Sequence, residues 1–448
     1  KAFQKIVSDD KDMYTYIVSG SEAIAAASPP KPEAADLFGQ AQQAYARFDF
    51  RAAIDLLKRS VNADPNYADA WSKLGLLELG QHQTDEALGD FRKAIAADPT
   101  NVSNYQILAF QLGRLKREHE AIDLWRDLLK REPNQKEAHA NLGALLMRQK
   151  SYDEAIKEYK VAIRLFEPNY SLEMQLGAAY LEAGANDEAV AAYEKAAEID
   201  PRPLTWNNVA YALAERKLKL PEAERFATQA VQEEENQTAR ISLDSLTDSD
   251  LRSMDSLASY WDTLGWVYFQ QGDYEEAEKY VGAAWDLEQV RVIGEHLGQI
   301  YEALGKKVAA SRQLALARSL PPGAPVIGLP PGSGQQRSLT MYAPGMTIPT
   351  EELSQMRRAK LGKVSSRTGS AEFWVLFGQG AKIEQVKFIS GQEAFRPLEG
   401  AIRSAKFKVV LPDAQAVKLL RRGILVCEGS GLGCDFTLLP LENVRSVQ

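Results

Sequence analysis

The sequence predicts a mainly α fold, a right-handed superhelix of about eight helix pairs, followed by a small α+β domain. An alanine recurs every 34 residues, at Ala53, Ala87, Ala121, Ala155, Ala189 and Ala223. A fixed period of this length is typical of proteins built from stacked structural repeats. The composition then changes, because residues 321–350 are rich in proline and glycine and the segment beyond them contains β-prone runs.

Each repeat is predicted to be two helices joined by a short turn. In the second repeat, Trp71 and Leu74 recur at helical spacing in the first helix, and Ala87 and Phe91 do so in the second helix. Small residues allow the two helices to approach, and large residues fill the space beside them. Pro99 ends the repeat, because proline cannot continue a helix.

These residues resemble the tetratricopeptide repeat, whose motif is Trp-x-x-Leu-Gly-x-x-Tyr followed by Ala, Phe, Ala and Pro. The resemblance implies eight units that start near residues 34, 68, 102, 136, 170, 203, 258 and 291. The period breaks once, at an insertion over residues 233–256. The insertion either extends the second helix of the sixth unit and loops back, or forms a free surface loop. Its apolar residues, such as Ile241 and Leu243, favour the ordered alternative.

The sequence divides into four predicted parts. Residues 1–33 are interpreted as the end of a missing upstream region, 34–320 as the repeat solenoid, 321–350 as a linker and 351–448 as the α+β domain. The elements expected in the last part are a short helix at 351–358, strands at 371–377 and 382–389, a helix at 392–406, and strands at 417–427 and 434–439. Lys418, Arg421 and Arg422 are interpreted as charges at a strand edge that discourage edge pairing.

Charge and residue types exclude several classes of function. The net charge is −8, and the residues before Glu351 carry −13, so the solenoid is expected not to bind nucleic acid, which needs basic residues at the phosphates. No apolar run reaches the roughly 18 residues that span a bilayer. The four histidines show no metal-ligand or catalytic spacing, and all four are interpreted as structural or surface residues. We therefore expect no catalytic site, no metal and no cofactor.

The two cysteines, Cys427 and Cys434, flank a glycine-rich stretch that predicts a hairpin loop. A disulfide could close the base of this hairpin, as in an oxidising compartment. Two free, half-buried thiols are the alternative, and the sequence leaves both open.

The first helix of each unit is expected to line an inner groove. The matching positions lack the Lys, Asn and Arg residues with which some repeat proteins hold a partner's terminal carboxylate. Instead they offer large apolar side chains, and Asn and Asp that could hydrogen-bond a peptide backbone. The hypothesis is a groove centred on units six and seven that binds an extended or helical segment; alternatively, the aromatic residues pack on neighbouring helices or on the C-terminal domain. The candidate partner-binding residues are Leu76, Phe110, Met174, Asn207, Tyr211, Asp262, Trp266 and Phe269.

The predicted function is that of a non-catalytic scaffold that binds a protein or peptide segment. The runs Val-Lys-Phe-Ile-Ser-Gly (386–391) and Leu-Leu-Pro (438–440) make the chain similar to exported acidobacterial repeat proteins, and the tail is loosely similar to the C-terminal domain of TonB-like energy transducers. The resemblance implies a periplasmic or cell-surface protein of a bacterium. Two alternatives follow from it: an accessory segment of a larger exported enzyme with a transglutaminase-like domain upstream, or a TonB-like periplasmic link.

Overall fold

A computed structural model describes residues 29–166, 168–320, 358–407, 409, 411–412, 417–428 and 433–439. The chain divides into two compact units, and the boundary lies between Ala192 and Tyr193. The described part of the first unit is entirely helical apart from its turns, whereas the second unit contains further helices and a five-stranded sheet. The predicted fold class, helix pairs followed by a small α+β domain, is confirmed.

The described part of the chain contains eight helix pairs. Within each unit, the helices pack mainly against their neighbours in sequence. The helices of the first unit are α1 (Pro32–Ala46), α2 (Phe50–Ala63), α3 (Ala68–Gly80), α4 (Thr84–Ala97), α5 (Val102–Arg114), α6 (Glu118–Arg131), α7 (Lys136–Arg148), α8 (Tyr152–Leu165) and α9 (Tyr170–Ala183), and α10 (Asn186–Ile199) contains the boundary between the units. The second unit continues with α11 (Pro203–Glu215), α12 (Leu220–Thr238), α13 (Asp248–Gln271), α14 (Tyr274–Leu287), α15 (Arg291–Ala303) and α16 (Lys307–Ser319).

The periodic small residues lie where the two helices of a pair touch. The six alanines that mark the period are fully buried. A Cβ atom added to Gly143 would lie 2.8 Å from the ring of Tyr159, and one added to Gly75 would lie 2.9 Å from the ring of Phe91. The small residue of the first helix therefore provides the space that the aromatic residue of the second helix fills.

A second periodic contact lies at the start of the first helix in the second, third and fourth pairs. The aromatic position of the motif donates a hydrogen bond to the carbonyl oxygen of the proline six residues earlier. The three instances are Trp71 Nε1 to Pro65 (2.8 Å), Tyr105 Oη to Pro99 (3.1 Å) and His139 Nε2 to Pro133 (2.9 Å). His139 thus replaces Trp71 in its role, which agrees with its interpretation as a structural histidine.

Two glycines of the seventh pair give a matched test of helix packing. A Cβ atom at Gly265 would lie 2.5 Å from Val281 Cγ2, whereas a Cβ atom at Gly282 would meet nothing within 4 Å. We expect Gly265→Ala to lower the free energy of unfolding by about 1–3 kcal/mol through overpacking. Gly282→Ala should raise it by up to about 1 kcal/mol, because alanine favours the helix. Urea denaturation followed by tryptophan fluorescence compares the two variants, and equal effects would contradict the close approach.

The first unit contains a buried carboxyl group with a pH-dependent effect on stability. Glu78 is 2% exposed and lies 3.3 Å from Lys58 Nζ. Burial, and next the nearby carboxylate of Asp90, raise the pKa of Glu78 above its ordinary value of 4.5. The native state therefore binds more protons than the unfolded state just above pH 4.5, and its stability falls as the pH rises through that window.

Glu78→Gln is expected to remove this part of the pH dependence, because glutamine has a similar shape and does not ionise. Urea midpoints measured between pH 4.5 and 7 should fall with rising pH in the parent chain and fall less in the variant. Glu86→Gln, an exposed residue of the next helix, is the control. Parallel profiles for the Glu78 variant and the parent would contradict the expectation.

The inserted residues are ordered, and most of them are helical. α12 continues to Thr238, and residues 239–247 form no helix or strand. α13 begins at Asp248, ten residues before the expected start of the seventh unit. Thr247 caps α13, because its side chain accepts a hydrogen bond from Asp250 N and Asp250 bonds back to Thr247 N. The extension of α12 also brings Glu235 to Trp261, whose Nε1 donates to Glu235 Oε1 (3.0 Å). Glu235 thus replaces the proline carbonyl that receives this bond in earlier pairs.

The tail forms one antiparallel sheet in the order β1-β5-β4-β2-β3. The strands are β1 (Arg358–Gly362), β2 (Gly369–Phe377), β3 (Ile383–Gly391), β4 (Leu419–Glu428) and β5 (Gly433–Leu438). The four expected strands are present within two residues of their predicted bounds. Residues 351–357 of the expected first helix lie outside the described residues, and Arg358 begins a strand that the sequence reading missed.

The helix predicted over residues 392–406 is wrong in its extent. A 3₁₀ helix covers Glu393–Leu398, and α17 covers only Glu399–Arg403. Pro397 has no backbone N–H and cannot make the α-helical bond, so the segment begins in the tighter form. Phe395 and Ile402 are nevertheless fully buried, as the predicted apolar face requires.

The interpretation of Arg421 and Arg422 as edge charges is also wrong. β4 pairs with both β2 and β5 and is therefore the central strand. Arg421 is 4% exposed and Arg422 is 7% exposed. Arg422 pairs with Glu372 of β2, and Arg421 donates hydrogen bonds to main-chain carbonyl oxygens outside the sheet. Both arginines thus have structural partners in the interior.

Candidate partner-binding site

Three of the predicted partner-binding residues lie in the first unit, each on the first helix of its pair. Leu76 of α3 is half-buried and packs against the core, and Met174 of α9 is buried, with 8% of its surface exposed. Phe110 of α5 is 45% exposed. Of the three, Phe110 presents a large apolar surface to solvent.

Five side chains of the second unit form an aromatic cluster, defined here as Tyr211, Asp262, Trp266, Phe269 and His296. They come from α11, α13 and α15, the first helices of three successive pairs. The Trp266 ring stacks on His296 with centroids 4.0 Å apart and on Phe269 with centroids 4.7 Å apart. Tyr211 lies 6.2 Å from the His296 ring. Four predicted residues are thus brought together around a histidine that was not predicted to be part of the site.

The contact between Asp262 and His296 orders this cluster. His296 Nδ1 lies 2.9 and 3.0 Å from the two carboxylate oxygens of Asp262, so it donates to the carboxylate. Both residues are 5% exposed. They are 34 residues apart in the sequence, which is one repeat, and the signal that could have revealed this pair is therefore an acid and an imidazole separated by one period.

Trp266 is held from a second side by an acidic residue that the sequence reading missed. Its Nε1 donates to Glu215 Oε1 at the end of α11 (2.6 Å), and the side chain is only 5% exposed. Glu215 itself is exposed. Trp266 therefore packs on neighbouring helices, as the alternative interpretation expected for the aromatic residues, while Phe269 and Tyr211 beside it are only half-buried.

The remaining candidate, Asn207, lies one helical turn before Tyr211 on α11. It is 2% exposed, and its Oδ1 atom has no hydrogen-bond partner among the described residues. A buried acceptor without a partner is costly, by about 1–3 kcal/mol. Burial, and next the carboxylates of Glu215 and Asp262, raise the pKa of Tyr211, so its hydroxyl stays protonated at neutral pH and can donate or accept.

The structure gives the two cysteines as a disulfide, Cys427–Cys434, which joins directly paired residues of β4 and β5.

Among the described residues, no group of three or more His, Cys, Asp and Glu side chains is arranged to hold a metal ion. None of the described helices has both the length and the apolar character needed to cross a membrane.

Two tetratricopeptide-repeat family models match the chain, one at residues 38–102 and 112–170 and the other at 174–203 and 258–288. No curated protein shows significant similarity. The chain is similar to the crystal structure of YrrB, described as a TPR protein with an unusual peptide-binding site (19% identity, 49% of this chain and 99% of YrrB, TM-score 0.34). It is also similar to MamA (24% identity, 38% and 92%, TM-score 0.33) and to MamA from Desulfovibrio magneticus (16% identity, 39% and 98%, TM-score 0.33). The family matches confirm that the chain contains tetratricopeptide repeats, as its 34-residue period predicts.

Proposed function

We propose that the chain is a non-catalytic scaffold that binds a segment of another protein on the first helices of its repeats. The observation that carries the proposal is the aromatic cluster, which α11, α13 and α15 assemble from three successive pairs. Phe269 and Tyr211 are its half-buried members, so they are the residues we expect to touch the partner. Trp266 and Asp262 are buried and hold the cluster in shape.

The chemistry around the cluster favours an apolar segment over an anionic one. α11 and residues 258–271 of α13 contain no lysine or arginine. α15 contains one, Arg291, which donates hydrogen bonds to the carbonyl oxygens of Ala317 and Arg318. Leu204, at the start of α11, is 52% exposed. A partner with apolar side chains would cover Leu204 and Phe269. A main-chain N–H of the partner, after a small movement of α11, would satisfy Asn207 Oδ1.

The same role is proposed for Phe110 and for Leu76 and Met174, which lie on other first helices of the first unit. An exported location is proposed as well, because a disulfide such as Cys427–Cys434 persists in oxidising compartments. Its test is the redox state of the two thiols in protein isolated under alkylating conditions from the native cells.

Site-specific photocrosslinking tests the proposed function. A benzophenone amino acid replaces Phe269, Leu204 or, as a control, Val308, which is 86% exposed at the start of α16. We expect Phe269 and Leu204 to crosslink to the same polypeptide in extracts of the native organism, and Val308 not to do so. Crosslinks from all three positions to the same set of proteins, or none from the first two, would reject the proposed surface.

A further inference from the structure

The tail sheet holds a short piece of the insertion by its main chain. Gln385 Oε1 accepts a hydrogen bond from Leu243 N (2.9 Å), and Lys387 Nζ donates to Leu243 O (2.7 Å). Lys418 Nζ donates to Ile241 O (3.0 Å). All three bonds reach backbone atoms, so none of them depends on which side chains the held segment carries.

The side chains of the held segment alternate between buried and accessible. Ile241 and Leu243 are 2% and 3% exposed, and Ser242 between them is half-buried. Ile241 and Ser242 lie outside any helix or strand, and Leu243 begins a turn. The segment therefore has the pattern apolar-x-apolar, in which x is a residue of any type.

The sheet offers a matching surface on the face that carries Gln385. Leu376 pairs with Gln385 on one side and with Leu420 on the other, so these three residues form one row across β3, β2 and β4. Leu376 is fully buried and Leu420 is 1% exposed. Hydrogen bonds to a peptide's backbone combined with sites for its alternate apolar side chains are one recurring way in which proteins recognise extended peptides. Here the side chains of Gln385, Lys387 and Lys418 make the bonds to the backbone.

We propose that the tail sheet is a peptide-binding module for extended apolar-x-apolar segments, and that Ile241–Leu243 is its built-in ligand. The module uses none of the residues of the aromatic cluster and does not rest on the function proposed for it. The insertion is tethered at both ends, so its effective concentration at the sheet is high, on the order of millimolar. An external segment of the same pattern binds when the built-in ligand is weakened or displaced.

The test uses a fluorescein-labelled peptide with the sequence of residues 238–247. Leu243→Ala weakens the built-in ligand without changing the chain length. We expect fluorescence anisotropy to show saturable binding to this variant, at least ten-fold tighter than to the parent chain. Adding Lys387→Met should weaken binding at least five-fold. A control peptide with serine in place of the residues that correspond to Ile241 and Leu243 should not bind.

The proposal is overturned if the peptide fails to bind a Leu243→Ala chain whose sheet amides remain protected from hydrogen exchange. If that variant loses its sheet, the parent chain with a millimolar excess of unlabelled peptide provides the second measurement. We then expect the Leu243 amide, released from Gln385, to exchange at least three-fold faster. The serine-containing control peptide should leave the exchange rate of the Leu243 amide unchanged. If the peptide of residues 238–247 also leaves it unchanged, the proposal is overturned.

Discussion

Arg421→Met is expected to lower the free energy of unfolding of the second unit by about 3–5 kcal/mol, because three carbonyl groups lose a charged donor and each buried acceptor left unpaired costs about 1–3 kcal/mol. Arg421 donates to the carbonyl oxygens of Asp286 (3.2 Å) and Leu287 (3.0 Å), which end α14, and to that of Leu439 (3.1 Å). The negative end of the α14 dipole faces the guanidinium. Methionine fills much of the volume but leaves these carbonyl groups buried without donors.

The measurement is urea denaturation together with hydrogen exchange resolved by segment. Arg403→Met, an exposed residue on α17, is the matched control and should shift the midpoint little. The urea midpoint of Arg421→Lys should lie between those of the other two variants. Lysine keeps the charge, but its ammonium group cannot donate to all three carbonyl oxygens as the planar guanidinium of arginine does. Faster exchange should appear in the sheet and at the ends of α13 and α14, and it should not appear in α3–α8. Equal shifts of the urea midpoint for Arg421→Met and Arg403→Met would show that the hydrogen bonds from Arg421 to the end of α14 contribute nothing to stability.

Local spacing was enough to predict the helix pairs. The periodic alanine is buried in the first six pairs, and in the second to fifth pairs an aromatic residue of the second helix is buried with it. Ala87 and Phe91 can therefore be assigned from neighbours 34 residues away. The same reasoning predicted where the first helix of each pair begins to within two residues of its observed start, except for α13. There the insertion lengthens the helix, and no period marks where it begins.

Long-range pairing could not be predicted from the sequence. The pattern of β4 identifies a strand, but only strand order decides whether Arg421 and Arg422 lie at an edge or in the centre. β1 is five residues long and carries charged side chains, so it has little periodicity to detect. The role of Pro397 was missed because the apolar spacing of the segment around it is helical even though its hydrogen bonding is not.

Only part of the candidate site could be predicted, because contacts between successive helix pairs cannot be inferred from local spacing. Tyr211, Trp266 and Phe269 stand out as large residues at positions on first helices. Their mutual stacking depends on His296, a residue of the next pair, and on Glu215, which lies at the end of α11. Both are polar residues whose partners become evident only when successive pairs are stacked.

His296→Ala is expected to lower the free energy of unfolding by about 3–5 kcal/mol, because it leaves the buried Asp262 carboxylate without its partner. It also removes the ring that stacks 4.0 Å from Trp266. Asp262→Asn should cost less, since an amide oxygen still accepts from Nδ1 and the charge is gone. Urea denaturation of the single variants and of the double variant Asp262→Ala/His296→Ala gives the coupling energy.

We expect the two alanine substitutions to be non-additive, with a coupling energy of about 1–3 kcal/mol, because the second substitution removes a group whose partner is already absent. His119→Ala, an exposed histidine of the first unit, is the control for loss of an imidazole. If the costs of the two single substitutions add, the Asp262–His296 contact does not hold the cluster together, and the order of the proposed binding surface must come from Glu215 and Trp266. If they couple, the proposed site for an apolar segment is built on a buried polar pair, and Phe269 and Tyr211 can stay accessible because Asp262 holds His296, on which the Trp266 ring stacks.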